Sequence, residues 1–334
     1  MTIARLFIFS LLAVTAFAEP AKVAVLDKAT LPAPTVQRDD EGEIVIKSAA
    51  EGTTVLYTLD GSDPIANSNP YLAPIFLPWG GHLKARAFSA DRKVMSEVVE
   101  RKLNPAPGFS ARPSTVIPVT QDRSWPSYDW QKRHEALVAS VQKQKPALLF
   151  IGDSITHFFG GEKLDLPLRG PNTWDEFYAP RNAANIGFGW DKTENVLWRL
   201  THGEIDNIEP KVAVVMIGTN NTGTCPAGEI VEGITAICQT LNQKLQNTKI
   251  LLLAIFPRGA PDNPARPKIA EINAALSKLD GKDNVTFLDI GPKFLQPDGT
   301  ISKDIMPDLL HPNEKGYRIW AEAMEPTLKK LLGE

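Results

Sequence analysis

The sequence predicts two folded units of different class: a small all-β sandwich, then a three-layer α/β domain built on a parallel sheet. Three observations lead there. From residue 147 onward, short uninterrupted apolar runs (147–152, 212–218, 249–256) alternate with stretches of helical periodicity (226–247, 265–279, 313–332). Strands that are apolar throughout are covered on both faces, and their alternation with helices marks a parallel sheet between two helical layers. Residues 33–103 instead show short alternating or β-branched runs at 43–47, 54–58 and 83–88, with Asp60-Gly61 and Gly80-Gly81 as turns. Between the two, residues 104–126 carry Pro105, Pro107, Pro113, Pro118 and Pro126, the composition of a semi-rigid extended linker.

Residues 133–143 are amphipathic and open the second unit (127–334), and two further strands are expected at 182–188 and 284–290, with a helix at 196–200. The chain has 334 residues, 43% hydrophobic and 22% charged, enough for a large core. A net charge of -3 without long basic runs gives no support for a nucleic-acid or anionic-membrane partner.

The first 18 residues have the form of a secretory signal peptide. Arg5 supplies the basic end, Leu6 to Phe17 the apolar stretch, and Ala16-Phe17-Ala18 the small-x-small cleavage site. The stretch is too short to span a membrane, and no other run is long enough. The protein is therefore expected to be secreted or periplasmic. Cys225 and Cys238 stand at the start and in the middle of one predicted helix, several turns apart along its axis. A disulfide needs Cα atoms within about 7 Å, so two free thiols are expected. Their spacing does not suit a metal, and no metal or cofactor is expected.

In open α/β sheets, function collects at the carboxyl ends of the strands. The run ending at Gly152 is followed by Asp153-Ser154, and the strand around Ile186 by Gly187-Phe188-Gly189-Trp190-Asp191. The run ending at Gly218 is followed by Thr219-Asn220-Asn221, and beyond Ile290 comes Asp308-Leu309-Leu310-His311. A serine hydroxyl needs an adjacent base, which His311 supplies, and Asp308, three residues earlier, is placed to orient the imidazole. The oxyanion of an acyl-transfer intermediate needs preorganised donors; the candidates are the N–H groups of Ser154 and of the Gly189-Trp190 turn, and the Asn220 amide. Trp190, Trp174 and Asn221 are candidate substrate contacts, the tryptophans as platforms for a sugar ring. Asp153 is expected to shape the nucleophile turn; His157, one turn past Ser154, reads as a structural histidine, with lining the pocket as the lesser alternative.

Gly152-Asp153-Ser154-Ile155, Gly187-x-Gly189, Gly218-Thr219-Asn220-Asn221 and Asp308-x-x-His311 resemble, in order, the four blocks of the SGNH (GDSL-like) hydrolases. Within that group, residues 185–200 and Pro257-Arg258-Gly259 are similar to the catalytic subunits of the platelet-activating-factor acetylhydrolases. The resemblance spans about residues 147–331. It implies a flavodoxin-like fold, no cofactor, and ester hydrolysis, often of acetyl esters. One departure stands out: the family's oxyanion glycine directly precedes the residue matching Asp191, and here that place is Trp190. Residues 57–64, with Tyr71 and 83–88, are similar to the small β-sandwich appended to chitobiases and other bacterial secreted enzymes. The expected activity is thus a secreted serine esterase acting on O-acetyl esters, with carbohydrates the preferred carriers. A lipid or small-ester acetylhydrolase and a non-catalytic glycan-binding protein are the alternatives. The sequence assigns no oligomeric state.

Overall fold

A computed structural model describes residues 31–59, 61–66, 68–121, 128–163 and 165–334. The expected leader and Asp60 lie outside the described residues. Strands β1 (Thr35–Arg38), β2 (Glu43–Lys47), β3 (Thr54–Thr58), β4 (Asn69–Pro70), β5 (Ile75–Phe76), β6 (Gly81–Phe88) and β7 (Val99–Leu103) form the first unit. Among the described residues they make two antiparallel sheets, β1-β2-β5 and β4-β3-β6-β7. Ile44 and Ile46 of β2 and Leu83 and Ala85 of β6 point inward at every second position, as a pleated strand with one covered face requires.

The second unit begins with α1 (Trp130–Gln144), capped by Asp129, whose carboxylate accepts from the Lys132 N–H at 3.0 Å. There follow β8 (Leu148–Gly152), α2 (Ser154–His157), α3 (Pro171–Phe177), β9 (Ala183–Gly187), α4 (Thr193–Thr201), β10 (Val212–Met216), α5 (Ala227–Lys244), β11 (Lys249–Leu253), α6 (Ala265–Leu276), β12 (Val285–Leu288) and α7 (Glu314–Leu332). The five strands pair in parallel in the order β12-β11-β10-β8-β9. Counted within the domain this is the flavodoxin-like order 2-1-3-4-5, and its switch point lies between β8 and β10.

The layers are written into the alternation of each strand. Leu149 and Ile151, Ala213 and Val215, and Ile250 and Leu252 face one core, with α4, α5 and α6. Leu148 and Phe150, Val212 and Val214, and Leu251 and Leu253 face the other, against α3 and α7. All these residues are fully or almost fully buried, so truncating one such as Phe150 to alanine costs about 3–5 kcal/mol. Both cysteines are free and buried, as expected from their spacing.

The proline-rich stretch does not behave as a spacer over its described part. A 3-10 turn, Ser114–Val116, seats the segment on the α/β domain. Thr115 donates through Oγ1 to the Glu229 carbonyl (2.6 Å), and its own carbonyl accepts from Thr193 Oγ1 (3.0 Å). The Val119 N–H donates to the Glu194 carbonyl at 3.2 Å, while Ile117 joins the sandwich core. Proline removes donors but leaves carbonyls and neighbouring hydroxyls, and these find partners on α4 and α5 once the segment is buried.

Candidate active site

The tips of β8, β9 and β10 stand in register, Gly152 opposite both Gly187 and Met216. Helix α2 presses on these tips, and two glycines permit the approach. A Cβ at Gly152 would lie 2.2 Å from Thr156 Oγ1 and 2.4 Å from the Met216 carbonyl; one at Gly187 would lie 2.5 Å from the His157 nitrogen. Asp153 caps the helix, accepting from the Ile155 N–H at 2.9 Å, and so shapes the nucleophile turn as expected. Its carboxyl is pushed up to about 7 by complete burial.

Ser154 is the first residue of α2, and its Oγ lies 2.9 Å from His311 Nε2. His311 Nδ1 lies 2.8 Å from Asp308 Oδ2. With Nδ1–H donated to the carboxylate, Nε2 is the lone-pair nitrogen that faces the serine hydroxyl. Asp308 Oδ1 accepts from the N–H groups of Leu310 (3.1 Å) and His311 (2.7 Å). Leu309 bends the loop with a positive φ of 57°, which brings Asp308 back under the imidazole it orients. Burial pushes the Asp308 carboxyl upward, but donation by the His311 N–H, the His311 ring and the Leu310 N–H outweighs it and holds the group at about 2. Burial lowers His311 below its ordinary value of 6.5; Asp308 opposes this, and Arg169 and Arg258 add to it.

The turn expected to hold the oxyanion follows β9. Its Gly189 N–H donates to His157 Nδ1 at 3.1 Å, which corrects the expectation that Gly189 supplies the oxyanion donor. Trp190, the residue standing where the family has glycine, takes the left-handed φ of 65° that glycine would take, and it is 37% exposed. Asn220 reaches the same turn: its Nδ2 donates to the Asp191 carbonyl at 2.9 Å, and the amide's second N–H remains as a donor.

Two expected substrate contacts are structural. Trp174 is buried in an aromatic cluster, with ring centroids 5.0 Å from Phe150 and 5.3 Å from Tyr178. Asn221 is fully buried: its Oδ1 accepts from the Thr193 N–H at 3.1 Å, and its Nδ2 donates to Glu194 Oε2 at 2.9 Å. His157 lies beneath the 189–191 turn, and burial holds its ring neutral down to about 2.

Two cations beside the triad escaped the sequence analysis as site residues. Arg169 Nη1 contacts Asp308 Oδ2 at 3.4 Å. Arg258, from the Pro257-Arg258-Gly259 turn, donates to the Thr219 carbonyl (3.2 Å) and hydroxyl (3.1 Å). That turn is tied to the catalytic loop, since the Gly259 N–H donates to the Leu309 carbonyl at 2.8 Å. Arg258 was within reach through its motif; Arg169 carries no local signal.

Such a set can activate a serine, hold an oxyanion and shuttle a proton, which is the equipment of acyl transfer. The comparisons agree. Residues 150–319 match the model of the GDSL-like lipase/acylhydrolase family, and residues 44–103 match the Fn3-associated family. The chain is 35% identical over 232 residues to human platelet-activating factor acetylhydrolase IB subunit alpha1, covering 69% of this chain and 92% of that protein. It is 37% identical over 206 residues to the rat alpha2 subunit, covering 61% and 86%. A solved Bacteroides fragilis structure described as a candidate acylhydrolase superposes with a TM-score of 0.50 at 18% identity, over 63% of this chain and 100% of that one, and so supports the fold. By these matches and by its α/β architecture, the chain belongs to the GDSL-like lipase/acylhydrolase family and is a carboxylic ester hydrolase.

Proposed function

We propose that the protein is a secreted serine esterase that removes acetyl groups from O-acetylated carbohydrates, with Ser154 as nucleophile, His311 as general base and Asp308 as its orienting partner. The observation that carries the chemistry is the continuous chain Ser154 Oγ–His311 Nε2 (2.9 Å) and His311 Nδ1–Asp308 Oδ2 (2.8 Å). His311 takes the Ser154 proton as Oγ attacks the ester carbonyl. The oxyanion is met by backbone N–H groups at Ser154 and the Trp190 turn and by the Asn220 amide. The alcohol leaves with the proton from His311, and water activated by the same imidazole then hydrolyses the acyl-enzyme.

The acetyl preference is supported by the acetylhydrolase names of the curated relatives and by the half-exposed Trp190 indole, a wall suited to a small acyl group. The carbohydrate reading is supported by the Fn3-associated region, by its likeness to sandwiches of secreted glycan-degrading enzymes, and by the signal-peptide pattern. The burial of Trp174 removes one argument for a sugar platform. A second reading, a lipid or small-ester acetylhydrolase, is favoured by the relatives' named activity on platelet-activating factor.

The test is acetate release by the mature protein from p-nitrophenyl acetate, from acetylated xylan, pectin and sialic acid, and from a short-chain acetylated phospholipid, beside Ser154→Ala. Release from a glycan that vanishes in the variant supports the proposal; release confined to the lipid selects the second reading. No release from any substrate, including the small ester, sinks the esterase and leaves a binding protein. Recovery of protein outside the cytoplasm with Glu19 as its first residue tests the leader.

A further inference from the structure

Gly189 is held on both sides. Its N–H donates to His157 Nδ1 (3.1 Å), and its carbonyl accepts from Tyr128 Oη (2.9 Å) and Gln121 Nε2 (2.9 Å). Gln121 Nε2 also donates to Asp191 Oδ1 (2.8 Å), which accepts from Trp130 Nε1 (2.9 Å) as well. Arg199 Nε donates to the other oxygen of that carboxylate at 2.8 Å. The residues before and after Trp190 are therefore both anchored, while Trp190 itself sits at a φ of 65°. A bulky residue persists in that region only where its surroundings over-determine it, and such sites cluster where geometry serves function.

The His157 and Tyr128 rings meet edge to face at 5.5 Å and bracket Gly189 between them. Imidazole Nδ1 accepts from Gly189 only as a lone pair, and burial together with Arg133 and Arg199 keeps the ring neutral. Gln121 lies in the segment that joins the two folded units and Tyr128 at the start of the second unit, and neither is on the sheet that carries the triad.

We propose that His157, Tyr128 and Gln121 are positioning residues that fix the 189–191 turn, and with it the backbone donor at Trp190, for oxyanion stabilisation, so that the segment joining the two units is part of the catalytic apparatus. This rests on the esterase reading above. The contacts reach no reacting atom; they act by holding a donor where charge develops. Misplacing such a donor lowers transition-state stabilisation while leaving ground-state binding and the base intact.

The experiment uses the full chain and p-nitrophenyl acetate. Wild type is compared with Ser154→Ala, Tyr128→Phe, Gln121→Met, the Tyr128→Phe/Gln121→Met double variant, His157→Leu and His157→Asn, whose amide oxygen takes the place of Nδ1. Removing a whole oxyanion donor costs about 10²–10³ in kcat, so loosening one is expected to cost about tenfold in the double variant and in His157→Leu. KM is expected within about twofold of wild type, the inflection of kcat/KM against pH unchanged, and His157→Asn restored to within about threefold of wild type. Tyr128→Phe deletes one oxygen and folds even if His157→Leu does not, so the test stands on it and on the double variant. A folded double variant with wild-type kcat overturns the proposal, as does a loss confined to KM or a shifted inflection. A wild type no more active than Ser154→Ala overturns the esterase reading itself, and this proposal with it.

Discussion

Arg169 Nη1 lies 3.4 Å from Asp308 Oδ2, the same oxygen that holds the His311 ring. The guanidinium also stacks 4.5 Å above Phe158, whose ring meets His311 edge-on at 5.1 Å. A fixed positive charge thus stands beside the base and disfavours its protonated form. His311 is active when neutral, and its value lies below 6.5, chiefly through burial and further through Arg169 and Arg258. Removing the charge by Arg169→Gln therefore raises the His311 value and moves the acid limb of kcat/KM to higher pH. The arginine is partly exposed and screened, so the displacement should shrink further at high salt. At pH 8, where the imidazole is neutral in both proteins, the rates should agree within about threefold. An unmoved acid limb would show that Arg169 contributes packing on Phe158 and no field at His311.

Asp308→Asn separates orientation from folding. The asparagine oxygen still accepts from a loop N–H, so the turn persists, but the Nδ1–H tautomer loses its carboxylate. By analogy with the serine-protease triad, kcat is expected to fall about 10⁴-fold with little change in KM. Steady-state kinetics and a melting curve on the same sample check this. A loss of less than tenfold would mean that the tautomer is set by something other than Asp308.

Trp190→Gly replaces a strained position by the residue its φ of 65° prefers. Backbone strain is relieved while chain entropy is lost, so stability should change by no more than about 1 kcal/mol. Selectivity should change more, because the indole is expected to close the acyl site. Each methylene admitted to an apolar pocket is worth about 10–200-fold, so the butyrate-to-acetate ratio of kcat/KM on p-nitrophenyl esters should rise at least tenfold. An unchanged ratio would place the acyl group away from Trp190.

The elements that carry the triad were legible because parallel strands covered on both faces have no polar phase, and 147–152, 212–218 and 249–256 stood out against the turns between them. Each tip then carried a residue type that acyl transfer needs. Burial around those tips was illegible. Asn221 adjoins Asn220 and Trp174 lies between the Ser154 and Trp190 blocks, and an amide or aromatic there reads the same whether it faces a cleft or the core; only the packing of α3 on Phe150, and Asn221's bonds to Thr193 and Glu194, decide. Gly189 fell to the same limit, since the fate of its N–H depends on His157, which lies 32 positions earlier. The docking of residues 115–121 has no periodicity to announce it, because it rests on single hydrogen bonds from a proline-rich chain.

Asn220→Ala tests the oxyanion site from the side chain. Its amide donates to the Asp191 carbonyl at 2.9 Å, so the variant removes a tie on the turn together with the proposed donor to the intermediate. We expect kcat to fall by about 10²–10³ with KM nearly constant. An equal fall in affinity for a tetrahedral phosphonate inhibitor would confirm that the transition state, not the ester, is what Asn220 recognises.

His157 also sets a limit on acid stability. Burial lowers it from 6.5 to about 2, so the native ring stays neutral where the unfolded chain binds a proton. Between those values the unfolded state holds the extra proton, and stability rises with pH; the full contribution is present above 6.5 and is lost as pH falls. The slope is about 1.4 kcal/mol per pH unit, or about 2 kcal/mol between pH 6.5 and pH 5. Asp153 acts in the opposite sense, because a buried carboxyl raised to about 7 favours the native state in acid. A direct pH series would mix the two. The difference between wild type and His157→Asn isolates the imidazole, since Asp153 is common to both. Urea unfolding midpoints at pH 5, 6 and 7.5 should therefore show wild type losing ground against His157→Asn as pH falls, by about 2 kcal/mol at pH 5 relative to pH 7.5. A difference independent of pH would mean that the native imidazole takes up its proton as readily as the unfolded one, and Nδ1 would then no longer be the acceptor that holds Gly189.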